Sequence, residues 1–310
     1  MTLVFDFAPE SVAVEEDVVA PTPYLRLDGG AVVDRYRELQ AAFPATGIHY
    51  AVKANPHPEL LAALAGAGCQ FDVAGAAEAA ACLKAGASAD DLLHSNPVAH
   101  RRGLDVAGVA FHVGSQQRQP QRWEAPIADA AAVFRALERR GMRPRLLDIG
   151  GGLPAGLDGE TPPLAAYGQA IAAHVRTHFG PARPRLLMEP GRSVVGDAGE
   201  LVSRVIAVVQ RAGRRWVYLD AGVFTGLVET LDEAIRYRLV TSADGGPTGP
   251  AVLAGPTCDS ADVLYERTPA ELPLALAEGD VVRFQAAGAY TTCYSTVGFN
   301  GFAPLPTYVV

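Results

Sequence analysis

Hydrophobic and polar positions follow two different rhythms along the chain. Between residues 31 and 198, short apolar runs of strand length are separated by longer stretches with apolar residues at helical spacing. Strands are predicted at 48–52, 70–73, 91–94, 106–113, 145–149 and 185–188, and helices at 31–43, 58–66, 76–85, 122–140 and 164–179. A regular alternation of strands and helices predicts a parallel sheet, either open or closed into a barrel.

The rhythm changes after Gly199. Runs such as ELVSRVIAVVQ and DVVRFQAAG are strand-like and are separated by Gly, Pro and Asp turns, which predicts a second, mainly β domain. An early strand, TPYLRLD at 22–28, could pair with either part, and we assign it to the β domain. The predicted organisation is an N-terminal segment at 1–30, an α/β domain at 31–198 and a β domain at 199–310.

Composition and charge exclude several classes of protein. The 310 residues include 26 basic and 34 acidic side chains, so the net charge is −8 and neither nucleic acid nor an anionic membrane is an expected partner. The N-terminus lacks the basic region of a signal peptide, and no apolar run is long enough to span a bilayer. The four cysteines form no CxxC pair, which argues against a disulfide framework or a zinc site. A cytoplasmic protein is expected.

Polar residues lie at the carboxyl ends of the predicted strands. They are Lys53, Asp72, His94, His112 with Ser115, Asp148 with Gly150–Gly152, and Glu189 with Arg192. In a parallel α/β barrel, active sites are built at that end of the strands. Taken alone, Asp72 or Asp148 also fits a helix cap and His112 a core histidine. Arg192 alone also fits as the ion-pair partner of Glu189, so the argument rests on the alignment of the whole set.

The segment DIGGGLPAG, directly after a predicted strand, indicates an anion site. Three successive glycines leave backbone N–H groups free to surround a phosphate. Gly150, Gly152 and Ala155 fit a loose dinucleotide pattern. However, Pro154 lies inside the helix start, and no acidic residue between Glu160 and Glu189 could hold a ribose. A single phosphate group is the better fit.

A lysine at a strand end, a phosphate loop and the carboxylate of EPGR together predict pyridoxal phosphate. This cofactor needs an amine for its Schiff base, a site for its phosphate and a partner for its ring nitrogen. A partly desolvated lysine amine is nucleophilic. A carboxylate that keeps the ring nitrogen protonated allows the ring to accept electrons from a substrate carbon.

The chain resembles the fold-type III pyridoxal phosphate decarboxylases, the alanine-racemase-like group that acts on ornithine, lysine, arginine and diaminopimelate. The matching motifs run in family order over nearly the whole chain: YAVKAN, FDVA, FHVGSQ, DIGGG, MEPGR, AGPTCDSADVLYE, GAYT and FNGF. The segment LDAGVFTGLVETLDEAIRY is most similar to bacterial ornithine/lysine decarboxylases. The resemblance implies a TIM-type (β/α)8 barrel followed by a C-terminal β-sandwich or β-barrel domain.

The resemblance also implies roles for individual residues. Lys53 would form the Schiff base, His112 would lie against the cofactor ring, and Glu189 would hold the ring nitrogen. Asp72 would support the lysine, and the phosphate would be surrounded by Ser115, Gly150, Gly151, Gly152, Gly191, Arg192 and Tyr290. In a homodimer with two shared sites, Cys258 and Asp259 would reach into the partner's site. The cysteine would donate a proton, and the aspartate would meet the distal amine of the substrate.

The expected reaction is the decarboxylation of ornithine or lysine to putrescine or cadaverine and CO2. Asp259 and the acids of ETLDE, namely Glu229, Asp232 and Glu233, suit a terminal ammonium group. Diaminopimelate, with its second carboxylate, would call for an arginine there. The alternatives are a diaminopimelate or arginine decarboxylase and a non-catalytic homologue that acts by binding a protein. A racemase, which needs a second base, fits less well.

One departure from the family is large. The family has two further strand and helix units between its third strand, here DLLHSNP, and the FHVGS strand, whereas here VAHRRGLDVAG connects them. Six strands are predicted where a closed barrel has eight, and the 168 residues from 31 to 198 fall short of the roughly 250 of a full barrel. The units near Arg101–Gly103 could be disordered and for that reason left out of the sequence, or deleted, or naturally absent. We favour a segment that is encoded but left out. Natural absence would favour the non-catalytic alternative.

Overall fold

The structure is a computed structural model of the chain and describes residues 20–94, 107–157, 159–181 and 183–310. The predictions for residues 1–19, and for the position of the missing units near 101–103, lie outside the described residues. No helix in the described part is both long and apolar enough to cross a membrane.

The predicted α/β alternation is present. After β1 (Tyr24–Leu27), the helices are α1 (Gly29–Ala42), α2 (Pro58–Gly66), α3 (Ala76–Lys84), α4 (Glu124–Glu138), α5 (Leu164–Phe179) and the short α6 (Arg192–Val195). The strands among them are β2 (Thr46–Ala51), β3 (Gln70–Asp72), β4 (Leu92–Leu93), β5 (Gly108–Ala110), β6 (Leu146–Asp148) and β7 (Arg185–Met188). The helix predicted at 122–140 is shorter because Pro120–Trp123 forms a separate 3-10 turn before it.

These six strands form one parallel sheet in the order β4-β3-β2-β7-β6-β5. The first and last strands of the repeat, β2 and β7, pair with each other, so the sheet closes as a barrel does at that seam. In the described residues β4 and β5 are the two edges, and each pairs on one side only. The strand predicted at 106–113 is therefore limited to the three residues that face β6. The result is a curled half-barrel that is open where two units are missing.

Helices α1, α2, α4 and α5 pack their apolar faces against the parallel sheet. Trp123 and Tyr167, both buried, pack edge to face with ring centroids 5.6 Å apart, and they join the 3-10 turn at 120–123 to α5. Such aromatic pairs contribute about 0.5–1.5 kcal/mol beyond the area they bury. The helices are thus fixed on the sheet, and the polar strand ends are left facing a cavity.

The second half of the chain is a mixed nine-stranded sheet. Its strands are β1, β8 (Gly199–Arg211), β9 (Arg214–Leu219), β10 (Arg238–Thr241), β11 (Thr248–Ala254), β12 (Val263–Leu264), β13 (Ala270–Pro273), β14 (Val281–Gln285) and β15 (Thr307–Val309). The early strand β1 lies between β8 and β15, in this sheet. The predicted fold class, an incomplete parallel α/β barrel followed by a β domain, is confirmed, while the exact domain boundaries stay predictions.

Candidate active site

A cavity of about 470 Å³ lies at the carboxyl ends of the parallel strands. It brings together ten of the residues singled out from the sequence: Lys53, Asp72, His112, Ser115, Gly151, Gly152, Glu189, Gly191, Arg192 and Tyr290. Gly150 adjoins it, and its N–H donates to Asp148 at the end of β6. The volume is within the range of sites that enclose a small ligand.

Lys53 reaches this cavity from a 3-10 turn, Val52–Ala54, that directly follows β2. Its Nζ atom lies 3.9 Å from Oδ2 of Asp72, which is buried at the end of β3. The β domain fixes the turn, because the Tyr290 N–H donates to the Ala54 carbonyl at 2.9 Å. The amine is thus held beside one carboxylate and remains open to the cavity.

Asn55, the last residue of YAVKAN, is a positioning residue that the sequence did not single out. It is buried, and its Nδ2 donates to the Gly288 carbonyl at 2.9 Å while its Oδ1 accepts from the His57 N–H at 3.1 Å. Both bonds join the lysine turn to its surroundings. The only available signal was the position of Asn55 inside the motif.

Two carboxyl groups, the buried Asp148 and the half-buried Glu189, lie close together at the cavity. Burial, followed by the negative charge of Glu189, raises the pKa of Asp148 to about 7. Two close carboxylates cannot both ionise cheaply, and Asp148 is the group that keeps its proton to higher pH. The Oε1 atom of Glu189 is buried and has no hydrogen-bond partner among the described residues. It is suited to accept a hydrogen bond from the N–H of a ring.

We expect the cofactor-free protein to become less stable as pH rises, because the folded protein loses the proton on Asp148. The folded protein holds this proton more tightly than the unfolded chain, whose aspartate has its ordinary pKa of 3.8. The free energy of unfolding should therefore fall between about pH 4 and pH 7, by on the order of 2–4 kcal/mol. Asp148→Asn should remove this fall. Urea unfolding at pH 5 and pH 8 measures it.

Asp34→Asn is the matched control, because Asp34 is an exposed aspartate on α1. It should leave the difference between pH 5 and pH 8 as it is in the unchanged protein. An Asp148→Asn protein with the same difference as the unchanged protein would show that Asp148 does not hold the proton.

His112 follows β5 and lines the cavity above Gly151. Burial, and next the positive charge of Lys53, lower the pKa of the His112 ring. The ring is therefore neutral at pH 7. A neutral, flat ring beside the lysine suits stacking on a second aromatic ring and avoids repulsion with the lysine ammonium.

The glycines after β6 allow the backbone to approach closely. Gly152 has φ +98°, and a Cβ there would lie 2.5 Å from the Gly114 carbonyl oxygen. A Cβ on Gly151 would lie 2.6 Å from the Glu189 carbonyl oxygen. Any side chain at these two positions would displace backbone atoms, so this wall of the cavity requires glycine.

Arg192 supplies positive charge at the same wall. Its side chain is 4% exposed, its Nη2 donates to Oε1 of Glu229 at 2.5 Å, and its guanidinium lies 5.0 Å from the ring centre of Tyr290. Among the described residues, its Nε and Nη1 are buried without a partner. Buried donors of this kind need an acceptor. Pyridoxal phosphate fits this set of groups. Its phosphate suits the two open donors of Arg192 and the glycine wall, its aldehyde suits Lys53, and its ring nitrogen suits the open carboxylate oxygen of Glu189.

Cys258 and Asp259 lie elsewhere in the single chain. They line a cavity of about 540 Å³ in the β domain, beside Trp216 and Tyr218, which has no residue in common with the cavity around Lys53. The structure therefore does not bring these two residues to the lysine within one chain.

The acids of ETLDE already have basic or backbone partners. Asp232, 94% exposed, pairs with Arg267 at 2.8 Å. Glu233 accepts from the N–H groups of Arg267 and Thr268 at 2.7 and 3.1 Å. Glu233 lines a cavity of about 910 Å³ that adjoins the first through Ser115 and Gln116, whereas Asp232 lines neither. Their predicted role in binding substrate stays a prediction.

The model of the family "pyridoxal-dependent decarboxylase, pyridoxal binding domain" matches residues 29–104 and 96–196, which is more than half of the chain. A lysine/ornithine decarboxylase of Selenomonas ruminantium is 29% identical over 93% of this chain and 90% of its own length. An ornithine decarboxylase of Schizosaccharomyces pombe is 33% identical over 71% of this chain, which spans 51% of that relative.

The solved structures agree with these relatives. The lysine/ornithine decarboxylase of Vibrio vulnificus complexed with cadaverine superposes with a TM-score of 0.83 at 28% identity, covering 93% of this chain and 94% of that one. A Selenomonas ruminantium enzyme in complex with PLP and cadaverine gives a TM-score of 0.84 at 28% identity, with 97% and 95% covered.

The matches also locate the missing units. The two segments of the family match meet at residues 96–104. The alignment with the Selenomonas enzyme has 360 positions but includes about 290 residues of this chain, so about 70 positions have no residue here. The predicted enzyme class and its cofactor are nevertheless confirmed. The chain belongs to the pyridoxal-dependent decarboxylases.

Proposed function

We propose that this protein decarboxylates a basic L-amino acid, ornithine or lysine, to a diamine and CO2. The observation that carries the proposal is the convergence of Lys53, Glu189 and Arg192 on one cavity, each with an open amine, acceptor or donor toward it. When bound, pyridoxal phosphate supplies an aromatic ring that accepts the electron pair released as CO2 leaves.

The residues of the chain have separate tasks in this reaction. Lys53, whose amine lies 3.9 Å from Asp72, would hold the cofactor at its aldehyde group. Glu189 would accept from the protonated ring nitrogen, and the neutral ring of His112, in the same cavity, would lie beside the cofactor ring. Arg192 and the glycine wall hold the phosphate. Together these residues would hold the cofactor and the substrate in one fixed orientation.

Protonation of the substrate carbon completes the reaction. We assign this step to Cys258, and recognition of the distal amine to Asp259, both supplied by the partner of a homodimer. The separate cavity of these two residues supports this assignment, because within one chain they do not line the cavity around Lys53.

The substrate preference rests on Asp259 and on the similarity to lysine/ornithine decarboxylases. A second candidate is diaminopimelate, which two relatives at 30% and 31% identity decarboxylate according to their names. Arg236 favours it, because it lines the neighbouring cavity of about 910 Å³ beside Glu233, and a second carboxylate could bind there.

Release of CO2 from four amino acids tests the proposal. The protein, loaded with pyridoxal phosphate, is assayed with ornithine, lysine, diaminopimelate and arginine. We expect ornithine or lysine to give a kcat/KM at least about tenfold above the other two, which corresponds to about 1.4 kcal/mol. Highest turnover of diaminopimelate would establish the second candidate. No CO2 from any of the four would favour the non-catalytic homologue.

A further inference from the structure

Asn300, in the FNGF segment, contacts the Cys258 turn. Its Oδ1 accepts from the Cys258 backbone N–H at 3.1 Å and from the Cys258 thiol at 3.4 Å. One amide oxygen thus fixes both the main chain and the side chain of a residue 42 positions away in sequence. No task has been assigned to this asparagine so far.

The conformation of Asn300 is suited to this contact. Its φ of +49° is left-handed, a region that asparagine enters more easily than most residues, and it lies between Gly298 and Gly301, which also have positive φ. The ring of the preceding residue, Phe299, packs on Phe224 with centroids 4.6 Å apart. The asparagine is therefore presented by a turn that is itself anchored.

The other side of the Cys258 turn is held by Asp262. This carboxylate is 2% exposed and accepts from the Thr257 N–H at 3.0 Å, the Thr257 hydroxyl at 2.7 Å and the Val223 N–H at 2.8 Å. Val223 and Phe224 belong to one short helical turn, Val223–Thr225. Asp262 and Phe299 thus connect the turn that holds Cys258 and the turn that holds Asn300 to the same short helix, Val223–Thr225.

We propose that Asn300 is a positioning residue that holds the Cys258 thiol and its backbone in the orientation needed to give a proton. The inference rests on the proposed function, in which this thiol gives its proton to the carbon that has lost CO2. In that step the S–H bond breaks, a C–H bond forms from the electron pair on the carbon, and the thiolate regains a proton from water. An acceptor for the S–H group holds the sulfur and its hydrogen in one direction until that step.

Alkylation of Cys258 in the cofactor-free protein tests the contact directly. Iodoacetamide reacts with the thiolate, and peptide mass spectrometry separates Cys258 from the other exposed thiol, Cys293. Asn300→Gly removes the acceptor yet tolerates positive φ, and it should speed alkylation about 2- to 10-fold, as expected for the loss of one hydrogen bond. Asn300→Asp restores an acceptor and should be no faster than the unchanged protein.

Thr296→Ala is the matched control. Its hydroxyl donates to the Phe224 carbonyl at 2.8 Å, so the substitution loosens the same neighbourhood without touching the thiol. It should leave the alkylation rate unchanged. An Asn300→Gly protein that reacts at the unchanged rate, or an Asn300→Asp protein that reacts as fast as Asn300→Gly, would overturn the proposal.

The amount of amine formed per CO2 gives a second readout in the loaded enzyme. When the proton does not reach the substrate carbon, the product would be a carbonyl compound instead of the amine, with its oxygen from water and the nitrogen retained by the cofactor. Asn300→Gly should lower the ratio from about one toward the value of Cys258→Ala, and Asn300→Asp should restore it. An unchanged ratio in Asn300→Gly would refute the positioning role in turnover. If the unchanged protein releases no CO2 while alkylation responds as expected, the proposed function fails and the contact stands.

Discussion

Lys53→Ala is expected to abolish covalent attachment of pyridoxal phosphate and to lower turnover by more than about 1,000-fold, the upper range for groups that act in the reaction itself. The lysine is the one cavity residue that can form a bond to the aldehyde, and its amine lies beside Asp72. The substitution removes that bond but leaves Arg192, Glu189 and the glycine wall in place. Cofactor should still bind, weakly and reversibly.

The low lysine content of the chain makes this experiment easy to interpret. It contains two lysines in all, Lys53 and Lys84, and Lys84 is exposed at the end of α3. Borohydride reduction of the loaded protein should place the label on Lys53 alone, and Lys84→Ala should keep both the label and the absorbance band at about 420 nm of a lysine Schiff base. A Lys53→Ala protein with near-normal turnover would refute the assignment.

Much of the cofactor side of the site could be predicted from sequence because it follows a rule of geometry. In a parallel sheet every strand ends at the same edge, so a polar residue after each strand enters one cavity. Lys53, Asp72, His112 and Glu189 all obey this rule. The helix at 58–66 could also be predicted from sequence, because Pro58 marks its first turn and Gly68, at φ +79°, follows its end.

The parts that could not be predicted depend on contacts between distant segments. Arg192 and Glu229 are 37 residues apart, and the pattern around either one says nothing of their pairing. The acids at 232 and 233 have positive φ, which turns their side chains toward Arg267 and the 267–268 backbone. Sequence indicates that acids are present there, but it cannot show that backbone direction.

The open edge of the half-barrel lies away from Lys53 and Glu189. The seam between β2 and β7 brings Lys53 and Glu189 to the same cavity, and neither strand borders the missing units. The edges β4 and β5 are followed or preceded by residues outside the described part. Loss of two units would therefore affect the wall opposite the seam more than Lys53, the glycine wall or Glu189.

Mixing a Lys53→Ala chain with a Cys258→Ala chain is expected to restore about one quarter of full activity. If each site takes its lysine from one chain and its thiol from the partner, a hybrid dimer has one intact site and one that lacks both groups. Random exchange makes half of the dimers hybrid, and each has one of two sites working. Each variant alone should show only its own residual activity. Turnover after co-expression with two different affinity tags measures the recovery.

A double variant, Lys53→Ala with Cys258→Ala, provides the converse control. Paired with an unchanged chain, it leaves no intact site, because the lysine of the unchanged chain faces the altered thiol and its thiol faces the altered lysine. Equal amounts should therefore halve the activity per unchanged chain. If each site lay within one chain, the first mixture would recover no activity and the second would lose none. The separate cavities of Lys53 and Cys258 in the single chain favour the shared arrangement.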